Sequence, residues 1–295
     1  MSMEQIELRK NSIPVAPRTT EESIYPNIDD TFTKYSYIGQ RLNIRTRQEC
    51  GIKISSGMAT NKQGFAIFGD IAVRMANVAT STTHYVYRLN VAGGLVGFSE
   101  IATFILDGTG HSNALQFAPV LESGQTLPYL YVSDVGGKCY VLSFDSSYQA
   151  TIVQTITIPG TGQVLMGDDG FIWTSSPGTD NHRKFAKYRK VSVSEGDVTL
   201  TDSDKIDEWE TMEVFPSATH TSQGWKVKFG KLWYQIGMSG DGQWRGVYIY
   251  DTATHALVTS LDFSEFSTLE YEDLDFFDNA MIIATYAGPA YLVRT

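Results

Sequence analysis

Cysteine is scarce. Cys50 and Cys139 are the only two, and neither has a second Cys or a His at ligand spacing, so no disulfide framework and no metal site is expected. Proline is sparse too, at nine residues against 26 glycines. No apolar run approaches the roughly 20 residues that span a bilayer, so membrane insertion is not expected. Positive charge is in deficit: 23 Lys and Arg stand against 33 Asp and Glu, for a net charge of −10. Such a chain repels phosphate backbones, which excludes a general nucleic-acid binder. Phosphate-loop and Gly-x-Ser-x-Gly patterns are missing, and no cofactor is expected. Helical periodicity is nearly missing; its best stretch, Ser203–Met212, predicts a short surface turn of helix.

What the 295 residues do contain is strand. Hydrophobic residues make up 42% and aromatics 12%, with 16 Tyr and 15 Phe, enough for a substantial core. Residues 1–30 carry Pro14, Pro17 and Pro26 without periodicity and read as an extended leader; residues 31–295 read as a single domain. The leader has no apolar stretch of the secretory type, so a cytoplasmic or virion-associated location is expected. Beyond it, short aromatic or β-branched runs such as Gly64–Phe68, Tyr85–Leu89 and Val247–Tyr250 are bounded by turn residues.

Repetition decides the architecture. Residues 110–159 give four strand beats, and residues 219–263 repeat them, with Asp145 and Asp251 each closing a third strand and opening a polar turn. A third unit fills 161–218, its fourth strand expected at Val198–Leu200. An earlier unit ends in Glu100–Ile105. The last begins near Leu269 and stops at Tyr291–Arg294 after three strands. Four antiparallel strands recurring at about fifty residues are one blade of a β-propeller. The expected fold is therefore all-β: four-stranded antiparallel blades, five in number with six possible. An N-terminal strand at about Lys34–Arg45 supplies the missing fourth strand and closes the ring, with a barrel or sandwich as competitor.

The innermost strand of each blade lines the axis, and its first residues converge on one face. Aligning the repeats puts His111 and Asn113, Gln163, His220, and Glu270 and Glu272 on a polar rim, with Gln48 as the first blade's equivalent. All but Gln48 are the candidate ligand-binding residues; wet channel rims are also polar without any ligand. No catalytic residue is assigned. Glycoside cleavage needs two carboxyl groups facing each other across the ligand, whereas Glu270, Glu272 and Asp273 share one blade. Trp209 and Trp244, flanked by polar residues, are the candidate exposed aromatics for stacking on a sugar. His84, His182 and His255 sit beside turns and read as exposed structural histidines. The cluster His182, Arg183, Lys184, Lys187, Arg189 and Lys190 reads as a solvated hairpin edge that could meet an anionic partner. Ser239–Trp244 is one residue short of an Asp-box and falls between the wrong pair of strands, so it reads as an ordinary hairpin.

Gly110–Asn113 ahead of Tyr129–Ser133, with the closing Glu270–Asp275, resembles a group of β-propellers found in gut Bacteroides genomes and in their phages and prophages. The resemblance spans about residues 45–295. It implies the propeller fold and carries over no catalytic signature. It raises the expectation of a virion-attached domain by analogy. Three functions stay open: a non-enzymatic propeller binding a surface glycan or protein partner, in a phage structural or host-recognition setting; a glycan-cleaving enzyme; and a protein-interaction scaffold.

Overall fold

The computed structural model describes residues 52–54, 62–76, 83–92, 95–106, 113–134, 136–216, 220–238, 243–264, 270–277, 280–286 and 290–293. Among them, tight turns and alternating apolar residues produce five sheets, each containing four consecutively paired antiparallel strands. The first strand among the described residues is β1 (Ile52–Ile54). Blade 1 comprises β2 (Lys62–Phe68), β3 (Ile71–Ala76), β4 (Thr83–Ala92) and β5 (Leu95–Ile105). Blade 2 comprises β6 (Leu115–Phe117), β7 (Leu130–Asp134), β8 (Lys138–Phe144) and β9 (Ala150–Thr157).

Blade 3 comprises β10 (Gln163–Met166), β11 (Phe171–Pro177), β12 (Arg183–Lys190) and β14 (Lys205–Glu210), with β13 (Val198–Thr199) lying between them in sequence. Blade 4 comprises β15 (Ser222–Lys228), β16 (Lys231–Gly237), β17 (Arg245–Asp251) and β18 (Leu257–Asp262). Blade 5 holds β19 (Tyr271–Phe277), β20 (Ala280–Thr285) and β21 (Ala290–Val293), and β1 pairs antiparallel with β21 as its outermost strand. This is a β-propeller closed by an N-terminal strand.

The closing strand differs in position from the sequence expectation. Ile52 pairs with Leu292 and Ile54 with Ala290, whereas Lys34–Arg45 lies outside the described residues, as do residues 1–30 and Gln48. A three-residue strand is too short to stand out as a periodic run. Blade 3 is corrected as well. Its fourth strand is β14, inside the stretch expected to be a turn of helix. Only Asp202–Asp204 is helical, as one 3-10 turn, with the Asp204 carboxylate accepting from the Thr201 N–H at 2.9 Å. The chain then extends, and Trp209 pairs with Phe185. Val198 and Thr199 instead join blade 2, parallel to β9, covering its outer edge. Gln154 and Thr155 bind the same loop through Ser192, Gly196 and Asp197.

The core lies between blades rather than within them. Trp173, Phe185, Trp209, Trp225, Tyr234 and Tyr250 fill the space around blades 3 and 4, and Trp233, Phe229, Leu274 and Phe276 join blades 4 and 5. Trp233 and Phe276 meet edge-on at 4.7 Å, a favoured aromatic geometry.

Candidate functional site: the mouth of the propeller axis

The inner strand of a propeller blade has a neighbour on one side only. Its other edge faces the axis with unpaired backbone groups, and buried N–H and C=O groups must find partners. Here side chains stand in for the missing strand. The Asp273 carboxylate accepts from the Phe65 N–H of blade 1 at 2.9 Å, from the Leu115 N–H of blade 2 at 3.1 Å and from Lys226 of blade 4 at 2.6 Å. Lys226 also donates to the Phe65 and Leu115 carbonyls. One level on, Asp275 accepts from the Ile67 N–H at 2.7 Å and pairs with Lys228. The Gln116 amide of blade 2 reaches Val227 of blade 4, donating to its C=O at 3.0 Å and accepting from its N–H. Asp168 accepts from the Phe229 N–H at 2.7 Å.

Lys226, Lys228, Asp273 and Asp275 are fully buried. Burial pushes the Asp273 carboxyl up and the Lys226 ammonium down, and each is opposed by the charge of the other. Gly224 makes room for this ladder: a Cβ there would sit 2.2 Å from Asp273 Oδ1. At this level side chains of blades 4 and 5 cross the axis to the backbone of blades 1 and 2.

Above the ladder the inner strands begin, and their first residues form a ring. Gln63, Asn113, Gln163 and Gln223 come from blades 1 to 4, and Glu272 comes from blade 5. In blades 1, 4 and 5 a β-bulge falls here, with register breaks between Lys62 and Phe65, Ser222 and Trp225, and Tyr271 and Asp273. Bulges re-aim side chains and recur beside functional sites.

Asn113 donates to Gln223 at 3.4 Å, and Gln223 donates to the Gly237 carbonyl and to Glu270, both at 3.0 Å. Other acceptors are unmet. Asn113 Oδ1, Gln163 Oε1 and both carboxyl oxygens of Glu272 are buried with no hydrogen-bond partner among the described residues. Buried polar atoms of this kind call for an explanation such as water, an ion or a ligand.

Glu272 is 1% exposed. Burial, with help from Glu270 and Asp273 and against Arg74, pushes its carboxyl up to about 9, so it is protonated at neutral pH. Burial also raises half-buried Glu270, with the Gln223 hydrogen bond opposing.

Of the residues expected on the rim, Asn113, Gln163 and Glu272 are in the ring, Glu270 is hydrogen-bonded to it, and His111 lies outside the described residues. His220 stands at the edge and stacks on Trp244 with ring centroids 5.7 Å apart and planes 14° apart. Trp244 is half-buried, packs on Tyr248 and lies over Gly246, where a Cβ would meet its ring at 2.7 Å. Burial lowers the His220 pKa, which favours the neutral imidazole.

Trp209 departs from its expected exposure. It is 8% exposed, between Phe185, Tyr250 and a stacked His255, because its strand pairs into blade 3. His84 is likewise fully buried, against Phe104. His182 reaches the Glu213 carbonyl, and His255 reaches Asp207 at 2.7 Å. The basic cluster is largely matched on its own blade: Lys184 pairs with Glu208, Lys187 with Asp169, and Arg189 with Glu195 and Asp204.

Gln63 and Gln223 escaped the sequence reading. Gln63, Asn113 and Gln163 are spaced fifty residues apart, and each stands two places before a buried apolar residue of an inner strand, Phe65, Leu115 or Leu165. That spacing would have pointed to Gln63 in place of Gln48.

Among the described residues no group of three or more His, Cys, Asp or Glu side chains is placed to hold a metal ion, and no helix is long and apolar enough to cross a membrane. No protein-family model matches the chain, and no curated protein matches it. Among solved structures it is similar to virginiamycin B lyase from Staphylococcus aureus, at 9% identity and a TM-score of 0.42, covering 83% of this chain and 98% of that one. It is also similar to the β-propeller domain of Swd1 (Cps50) from Myceliophteria thermophila, at 7% identity and a TM-score of 0.41, covering 80% and 83%. BamB from Moraxella catarrhalis gives 9% identity and a TM-score of 0.38, covering 83% and 91%.

Proposed function

We propose that this chain is a non-catalytic recognition propeller whose axial mouth binds a neutral polyhydroxylated ligand, in the first instance a surface glycan. The observation that carries the reading is the ring of four side-chain amides and one carboxyl, one from each blade, with buried oxygens left unmet. An amide offers two donors and an acceptor, and a protonated carboxyl offers one donor beside its acceptor. Such a lining suits hydroxyl groups, which both give and accept, better than it suits an ion. The stacked His220–Trp244 pair adds an apolar face of the kind that sugar rings pack against.

The resemblance to Bacteroides and phage propellers supports a structural or host-recognition role, on a virion or in the cytoplasm where virions assemble. A glycan-cleaving reading draws on Glu272, whose raised pKa suits a general acid. Among the described residues it lacks a partner, since the ring positions of the other blades are amides and Glu270 is on the same blade as Glu272. A protein scaffold would use the outer faces of the blades instead.

The test is a glycan array followed by calorimetry on the hits, with Asn113→Ala and Gln163→Ala alongside the wild type. The expected result is binding without released product, lost in both variants while the melting transition stays put. Product release from a bound oligosaccharide would favour the hydrolase, and no sugar binding with a co-purifying protein would favour the scaffold.

A further inference from the structure

We infer that the mouth recognises the end of a glycan chain, its terminal residue in the amide ring and its penultimate residue against the His220–Trp244 shelf. This rests on the glycan-binding reading above and specifies which part of a glycan is read. The first observation is the blind floor. Asp273 directly follows Glu272, and Lys226 lies three residues past Gln223, about 10 Å along the strand. These two fully buried side chains bind each other at 2.6 Å and also hold backbone groups of blades 1 and 2. A polymer therefore cannot thread along the axis, and a residue seated in the ring has one way out, back through the mouth.

The second observation is that, among the described residues, the aromatic shelf lies to one side of the ring. The shelf stands on blade 4 alone and is continuous with the ring: Gln223 donates to the Gly237 carbonyl, Gly237 pairs with Arg245, and Trp244 precedes Arg245. Next to the shelf stands exposed Met238, whose sulfur accepts from the Thr221 hydroxyl. Polar contacts saturate in the ring and stacking contacts lie beside it. A ligand satisfying both has one residue turned in and its neighbour laid flat on blade 4.

The experiment measures binding of linear glucose, galactose, mannose and xylose oligomers, from single units to hexamers, together with the cyclic hexamer of glucose. For the sugar that binds, affinity should rise about fivefold to tenfold from monomer to dimer, the gain expected of one aromatic stacking contact, and level off by the trimer. Trp244→Ala should return the dimer to the monomer's affinity, and Trp244→Phe, which keeps an aromatic ring if the alanine variant misfolds, should retain most of the gain.

If the responding sugar is glucose, binding of the cyclic hexamer as tight as the linear one overturns the inference, because a ring has no end. For any sugar, dimer binding unchanged in Trp244→Ala and Trp244→Phe while Gln163→Ala abolishes it also overturns the inference and leaves the glycan-binding reading standing. Failure of the wild type to bind any oligomer defeats both.

Discussion

Two levels of buried polar residues lie one above the other along the propeller axis, and the two differ in how far they are satisfied. On the lower level Lys226, Lys228, Asp273 and Asp275 are paired, and the two carboxylates also satisfy backbone N–H groups of neighbouring blades. On the upper level Glu272 keeps two unmet oxygens, and Asn113 and Gln163 keep one each. Saturated polar groups hold a fold together, while an unsaturated one costs stability of the order of 1–3 kcal/mol. The lower set is the ring's central fastening. The upper set is a debt that a bound ligand can settle.

Substitutions on the two levels should therefore move stability in opposite directions. The largest effect expected is that of Asp273→Ala, which strands the buried Lys226 ammonium and two backbone N–H groups and should cost about 3–5 kcal/mol in denaturant unfolding. The double change Lys226→Met with Asp273→Leu sharpens the point. An isolated buried ion pair can often be replaced by apolar residues with little loss. Here the Phe65 and Leu115 N–H groups would still lose their acceptor, so a deficit of about 2 kcal/mol should remain. A double variant as stable as the wild type would show the carboxylate's backbone contacts to be dispensable.

Glu272→Gln should act the other way. Burial, helped by Glu270 and Asp273 and opposed by Arg74, pushes the Glu272 carboxyl up to about 9 in the folded chain, against 4.5 for the free group. Between those values the unfolded state has released a proton that the native state retains, so this group's contribution falls as pH rises from about 4.5 to about 9 and is flat above. Glutamine removes the titration. It should stabilise the protein at pH 8, flatten the pH dependence of the melting temperature, and change little near pH 4.5. Calorimetric scans across that range would check it; a variant less stable than the wild type at pH 8 would mean that Glu272 has partners the two-level contrast denies. The smallest effect on stability is expected of Gln163→Ala, under about 1 kcal/mol by thermal unfolding, because its carbonyl oxygen holds nothing in the ligand-free chain.

The blades were legible in the sequence because each is a local object: strand, turn and strand follow one another, and their aromatic and β-branched runs repeat at about fifty residues. What failed to show was set by contacts between distant segments. Val198 and Thr199 look like any short strand, and only the packed structure gives them to blade 2. Lys205–Glu210 reads as polar because every second residue faces solvent, and its membership of blade 3 depends on Trp209 reaching Phe185.

Lys226 and Lys228 alternate with Trp225 and Val227 as residues of a half-exposed strand would, but an inner strand has no exposed face, and its polar side turns to the axis. Of the mouth, Asn113, Gln163 and Glu272 followed from aligning the repeats. Gln223 was hidden by a bulge that displaces the alignment by a residue, and Gln63 by aligning the first repeat on Gln48.

Closure through β1 and β21 has a consequence for synthesis. Ile52 and its partner Leu292 are 240 residues apart (292 − 52). At roughly 5–20 residues per second, the first strand leaves the ribosome on the order of ten to fifty seconds before the strand it must pair with. For most of that interval blade 5 has not been made, and β1 has no strand to pair with. Two nascent chains on one messenger could then exchange their first strands, giving a linked pair in place of two closed rings. Slowing translation should raise the fraction of such pairs, and dilution after refolding should lower it.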